Sequence, residues 1–235
     1  MSEEKADRIV AARLRLRERF LARPGRERPA RGSGEPNRHG EPKLPPGQRP
    51  TTKWPVLDLG EHPRIEPEQV RLVVDGAVAH PLELSWEELL QLPQVEEESD
   101  FHCVTGWSQM DLRFTGVRLV DLLARAEPHE EAAHLLCHAA DGYTTSLLLA
   151  DGLAPDVLLA HRVGGEPLPR EHGGPLRMVT PRLYAWKGTK WIERIEVCAE
   201  EKPGFWERGG YARVGDPWTE DRYADPDDPP PGAEI

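Results

Sequence analysis

The chain has 235 residues, enough for one well-buried domain with extensions and too few for two large ones. Its formal net charge of −11 excludes the basic footprint needed to hold a phosphate backbone, so no nucleic-acid partner is expected. The charge is unevenly placed: residues 1–50 hold 13 Lys/Arg against 7 Asp/Glu, and the remainder holds 17 against 34.

In chain order, Ile9, Val10, Leu14, Phe20 and Leu21 form a weak amphipathic pattern among arginines, after which residues 24–50 become rich in Gly, Pro and Arg. Such a stretch buries too little apolar surface to offset its ordering entropy, so residues 1–50 read as a basic N-terminal arm. Residues 70–74 predict a strand closed by the turn Asp75-Gly76, and Ser85-Trp86-Glu87-Glu88 is a capping box that opens a helix running to Leu92. A second helix is expected over 117–126, with Val120, Leu122 and Leu123 on one side, and strands over 101–105, 134–139, 143–149, 157–163, 176–180 and 191–197. Turns such as Gly164-Gly165 and Gly173-Gly174-Pro175 separate them. Short strands with few helices and no regular βαβ alternation predict an α+β fold, a single β-rich domain over 51–205. Residues 206–235 then form an acidic, Pro-rich C-terminal extension.

The longest apolar stretch, 146–160, is broken by Asp151, Gly152, Pro155 and Asp156, so no membrane span is expected. The N-terminal residues lack a continuous apolar run of export-signal length, and three cysteines cannot build a disulfide framework, so a cytoplasmic, reducing location is expected.

Three segments could carry chemistry. Cys103 ends a predicted strand and is followed by Val104-Thr105-Gly106-Trp107, where the glycine permits a sharp turn. The sulfur is therefore a candidate thiolate ligand, the alternative being a buried, inert cysteine. The second segment runs from His172 through Gly173-Gly174-Pro175 to Arg177, whose planar fork suits phosphate or carboxylate. The third is Lys187-Gly188-Thr189-Lys190: the chain has only six lysines against 24 arginines, and two of the six lie three apart around possible amide donors. A Cys2His2 zinc site built from His102-Cys103 and Cys137-His138 has neither the usual ligand spacing nor a common strand face. No serine sits in a nucleophile-elbow context.

Taken in order, Cys103 to Trp107, Thr115 to Leu123, Ala140-Asp141-Gly142-Tyr143, Gly165 to Pro169, His172 to Arg177 and Lys187 to Ile192 resemble the molybdopterin domain of the sulfite oxidase family. The resemblance spans roughly 55–200. It implies a β-rich fold, a molybdenum-molybdopterin cofactor with Cys103 as the protein ligand, and oxygen-atom transfer to or from a small sulfur or nitrogen oxide. By the same resemblance His172 and Arg177 lie along the pterin and its phosphate, and Lys187, Gly188, Thr189 and Lys190 hold the same anion. Tyr184 approaches the metal-bound oxygen, and Leu57 and Asp58 cover the pterin. The arginine pair that follows the cysteine in animal and plant sulfite oxidases is absent. The pattern is closer to the bacterial methionine-sulfoxide reductase subunit, with Thr105 in place of its acidic residue. The site is therefore expected to carry little fixed charge beyond any residue that folds in from elsewhere, and to favour neutral oxides. With no room for a haem domain, an external electron-transfer partner is implied. The alternative is a non-enzymatic pterin- or zinc-binding module on the same fold.

Overall fold

A computed structural model describes residues 3–22, 31–58, 60 and 62–225. Parts of both expected extensions, 23–30 and 226–235, lie outside the described residues.

The chain opens with α1 (Glu3–Leu21) and three short strands, β1 (Ser33–Pro36), β2 (Pro42–Leu44) and β3 (Arg49–Pro50). There follow β4 (Arg71–Gly76), β5 (Leu82–Ser85), α2 (Trp86–Gln91), β6 (Val95–Cys103), β7 (Trp107–Arg118) and α3 (Leu119–Ala126). Next come β8 (His134–Ala139), β9 (Thr144–Leu148), α4 (Leu149–Gly152), β10 (Leu158–Val163), β11 (Glu166–Pro167), β12 (Arg177–Val179), β13 (Ile192–Cys198) and α5 (Phe205–Arg208). One sheet runs β5-β4-β13-β8-β9; a second is built on β7, which pairs with β6, β10 and β3, while β10 also pairs with β11 and β12. Helices set beside mainly antiparallel sheets make this the expected α+β architecture.

Side-chain pattern explains the elements. In β4, Leu72 and Val74 point inward and their neighbours outward, the period of two that seats a strand on a core. Ser85 caps α2 as expected: its hydroxyl accepts the Glu88 amide while the Glu88 carboxylate accepts the Ser85 amide (2.8 Å). Leu119, Leu122, Leu123 and Ala126 make the buried stripe of α3, and Val120, expected on that side, is only half-buried. α3 stops where Glu127 turns left-handed and its N–H reaches the Leu123 carbonyl (3.0 Å). Together with Leu135, Leu159, Met178 and Ile195 these side chains form the main core.

Two findings differ from the sequence reading. Residues 107–118 form the central strand β7, so α3 begins at Leu119 instead of 117. The mostly polar run 107–113 hides this strand, whose pairing with β6 also shifts register between Ser99 and Phe101. Residues 33–50, read as part of an arm, lie against the sheet: β3 pairs in parallel with the start of β7, and Trp218 of the C-terminal extension donates to the Pro42 carbonyl (2.7 Å).

Candidate active site

Cys103 sits at the tip of the β6–β7 hairpin. Its carbonyl accepts the Gly106 amide (2.9 Å), and Gly106 adopts φ +95°, a left-handed conformation that side chains disfavour. From behind, Gln48 donates to the same carbonyl (3.2 Å) and accepts from Ser108 Oγ (3.2 Å), which also meets His102 Nδ1 at 2.8 Å. Burial pushes the His102 pKa down to about 4, so the ring is neutral at pH 7. Arg222 donates to the Val104 carbonyl, fixing the turn from the C-terminal extension.

The Cys103 side chain faces a cleft that, counted with the open solvent at its mouth, encloses about 920 Å³. Sγ lies 3.2 Å from Thr105 Oγ1. Burial raises the thiol pKa, and the Thr105 hydrogen bonds and the charges of Arg13 and Arg222 oppose that rise. Adjacent residues of a strand face opposite ways, so His102 turns to Ser108 while Cys103 turns to the cleft.

Across the cleft, Trp54 stacks face to face on His172, with centroids 3.9 Å apart. Burial first, and then Lys190 and Arg177, push the His172 pKa down to about 4. Arg177 is 1% exposed and donates to the carbonyls of His172 (2.8 Å), Gly188 (3.1 Å) and Met178 (3.2 Å). Its guanidinium lies over the Phe101 ring at 5.1 Å, and burial pulls its pKa down to about 10. No carboxylate among the described residues pairs with it. Lys190 donates to the Glu171 carbonyl (2.7 Å) and lies 3.6 Å from Asp58 Oδ2, which His62 also holds at 2.6 Å. Burial and then the Arg177 charge lower the Lys190 pKa to about 8.

Of the residues expected at the site, Cys103, Thr105, Leu57, Asp58, His172, Arg177, Gly188 and Lys190 line this one cleft. Three do not. Lys187 is fully buried and spends its ammonium on Glu207 Oε1 (2.5 Å) and on the Ser146 and Arg213 carbonyls (2.8 and 2.5 Å), so it is not aimed at a ligand. Thr189 is fully buried behind the wall. Tyr184 is fully buried beside Trp186 and under the Arg222 guanidinium, with Gln48 near its hydroxyl but outside hydrogen-bonding geometry. In the other direction, the cleft gains Arg13 of α1, Trp54, Tyr143, Trp206 and Tyr211, which sequence reasoning missed. The half-apolar pattern of α1 and the aromatic density of 205–223 were the available signals. Arg13 is a charged residue folding in from elsewhere, the one allowance that the expectation of little fixed charge near the cysteine made.

The model of the oxidoreductase molybdopterin binding domain matches residues 59–206. Among curated proteins, an uncharacterized oxidoreductase of Bacillus subtilis, YuiH, is 47% identical over 77% of this chain and 92% of its own length. The protein-methionine-sulfoxide reductase catalytic subunit of Gluconobacter oxydans is 35% identical over 61% of this chain and 53% of its own, and rat mitochondrial sulfite oxidase 32% identical over 68% and 35%. The chain thus spans nearly all of the first, about half of the second and a third of the last. The sulfane dehydrogenase SoxCD of Paracoccus pantotrophus superposes with a TM-score of 0.56 at 24% identity, covering 63% of this chain and 42% of that one, which is a likeness of fold.

The residues present fit a molybdenum-pterin group. Among the described residues no three His, Cys, Asp or Glu side chains converge as metal ligands, so a metal at Cys103 needs the remaining ligands from a group that brings its own. Flat aromatic walls suit a heterocycle, and a buried arginine with no carboxylate partner among the described residues suits its anionic end. A side chain at position 188 would meet the Met178 carbonyl at 2.7 Å, so only glycine lets the wall lie this close to Arg177.

Proposed function

The chain belongs to the oxidoreductase molybdopterin binding domain family, near the methionine-sulfoxide reductase branch of the sulfite oxidases, and from that membership we propose oxygen-atom transfer to or from a small sulfur or nitrogen oxide. Cys103 serves as the protein ligand of the molybdenum, and His172, Arg177, Gly188 and Lys190 hold the pterin and its anionic end, with Leu57 and Asp58 at the rim. The observation that carries this reading is the meeting, in one aromatic-walled cleft, of a thiol on a hairpin tip with a buried arginine that pairs with no carboxylate among the described residues.

When bound, the molybdenum-pterin group supplies the two-electron chemistry of the exchange. Removing an oxygen atom from the substrate consumes two electrons and two protons and yields water; the opposite direction takes oxygen from water and releases them. A separate electron carrier exchanges those electrons. The chain's own residues bind and orient. Cys103 must lose its proton to bind metal, and the Thr105 hydrogen bonds ease that loss. Neutral His172 offers a hydrogen bond without adding charge. The backbone ties of Arg177 keep its fork fixed before the anion arrives. Lys187 and Thr189 support this wall from behind. No helix among the described residues is long and apolar enough to cross a membrane, and three free cysteines are in keeping with a cytoplasmic enzyme.

Elemental analysis tests the reading: about one molybdenum per purified chain is expected. Cys103→Ser should keep the fold and change the metal's spectrum sharply, because a hard hydroxyl replaces a soft thiolate. Zinc or no metal in the parent, or an unchanged spectrum in the variant, overturns it.

A further inference from the structure

The N-terminal helix α1 precedes the family-matched residues, yet its Arg13 lines the cleft. Ile9, Val10, Arg13, Leu14 and Arg17 are half-buried, a stripe at helical spacing, while Asp7, Ala12 and Glu18 on the other faces are exposed. The stripe packs against residues 209–210. A side chain at Gly210, which adopts φ +79°, would stand 2.6 Å from the Arg17 guanidinium carbon, so the bare backbone there leaves the space that Arg17 fills. Leu14 reaches toward Gly209, within 3.6 Å of where a side chain would begin. One turn before Arg17, Arg13 enters the wall that it shares with Cys103, Thr105, Trp206 and Tyr211.

We propose that α1 is the cap of the reaction site and that Arg13 is its specificity-determining residue, which selects small oxyanions over neutral oxides of the same size. This rests on the reading of the cleft as the site of oxygen-atom transfer and names the charge class of its substrate. The physical argument is one of position. Arg177 and Lys190 lie with His172 across the cleft, whereas Arg13 acts on the cysteine side, together with Arg222. Of those two only Arg13 lines the cavity, because Arg222 is turned to the Val104 carbonyl and the Tyr184 ring. An anion entering beside Cys103 sheds water, and a guanidinium fork on the wall restores its hydrogen bonds; a neutral oxide gains far less from the same fork. Alanine is a better helix former than arginine, so Arg13→Ala leaves α1 intact.

The test uses the full-length, molybdenum-loaded protein with inorganic sulfate as an unreactive oxyanion, read by tryptophan fluorescence, since Trp54, Trp107, Trp186, Trp191 and Trp206 all line the cleft. Arg13→Ala should weaken sulfate binding about ten-fold or more and Arg13→Glu should abolish it, with Arg13→Lys in between. In turnover, Arg13→Ala should raise KM for sulfite with little change in kcat, and leave KM for dimethyl sulfoxide unaltered. Equal sulfate affinity in parent and Arg13→Ala overturns the proposal, as does an equal loss for both substrates. Molybdenum content is measured in every sample: its absence from the parent defeats the functional reading, whereas a loaded parent indifferent to Arg13 defeats only this one.

Discussion

Lys190 carries its charge into a place where charge is costly, and its titration should move stability and pterin retention in opposite directions. Burial and the Arg177 charge lower its pKa to about 8 in the folded chain, while an unfolded chain keeps the ordinary lysine value. Between those values the unfolded state binds more protons, so the stability of the cofactor-free protein should rise with pH above about 8. Anion holding needs the ammonium, so retention of the pterin should fall across the same window. Chemical denaturation and pterin release, each followed from pH 7 to 10, should therefore slope in opposite directions, and Lys190→Met should flatten both. A similar slope in the variant and the parent would show that another group titrates. At this scale Cys103, His172, Arg177 and Lys190 were legible because short motifs fix them to local turns. Gln48, Trp54 and Arg13 were not, since their roles depend on where α1 and residues 31–58 dock, and nothing local encodes that.

Among the elements, α5 shows how a residue named for the ligand can instead hold the frame. Glu207 of α5 accepts from Thr145 Oγ1 of β9 (3.0 Å) and from Lys187, and both charges of that pair are fully buried. Removing one partner strands the other charge without water, which costs ~3–5 kcal/mol. Lys187→Met and Glu207→Leu should each lower the unfolding free energy by that order, and the double variant should recover much of the loss because no lone charge remains. Thermal and urea unfolding read this directly; an unstable double variant would place the cost in the backbone carbonyls that Lys187 satisfies. Strand prediction succeeded where burial imposes a pattern, as in β8, whose bounds match the expected 134–139. It failed for β7, whose polar first half is ordered by pairing with β6, β3 and β10 instead of by its own periodicity. α1 was faint for a related reason: its stripe includes two arginines, which count as exposed until a cleft is there to receive them.

For the whole molecule, the consequence of Gln48 bonding to the Cys103 carbonyl concerns what counts as a transplantable unit. The recognisable stretch 59–206 contains the thiol and the buried arginine but omits Gln48, the β3 pairing, Trp54, Glu207 and Arg222. Cut out and grafted elsewhere, that stretch would carry an unpaired buried lysine and a metal-binding turn without its backing. A chain of 31–225 should keep its molybdenum and most of its stability, having lost only the cap; a chain of 51–206 should retain little of either. Metal content and unfolding midpoints of the two pieces check this, and a loaded, stable 51–206 would contradict it. The portable module is thus larger than its signature, and its edges are set by the hydrogen bonds that steady one cysteine.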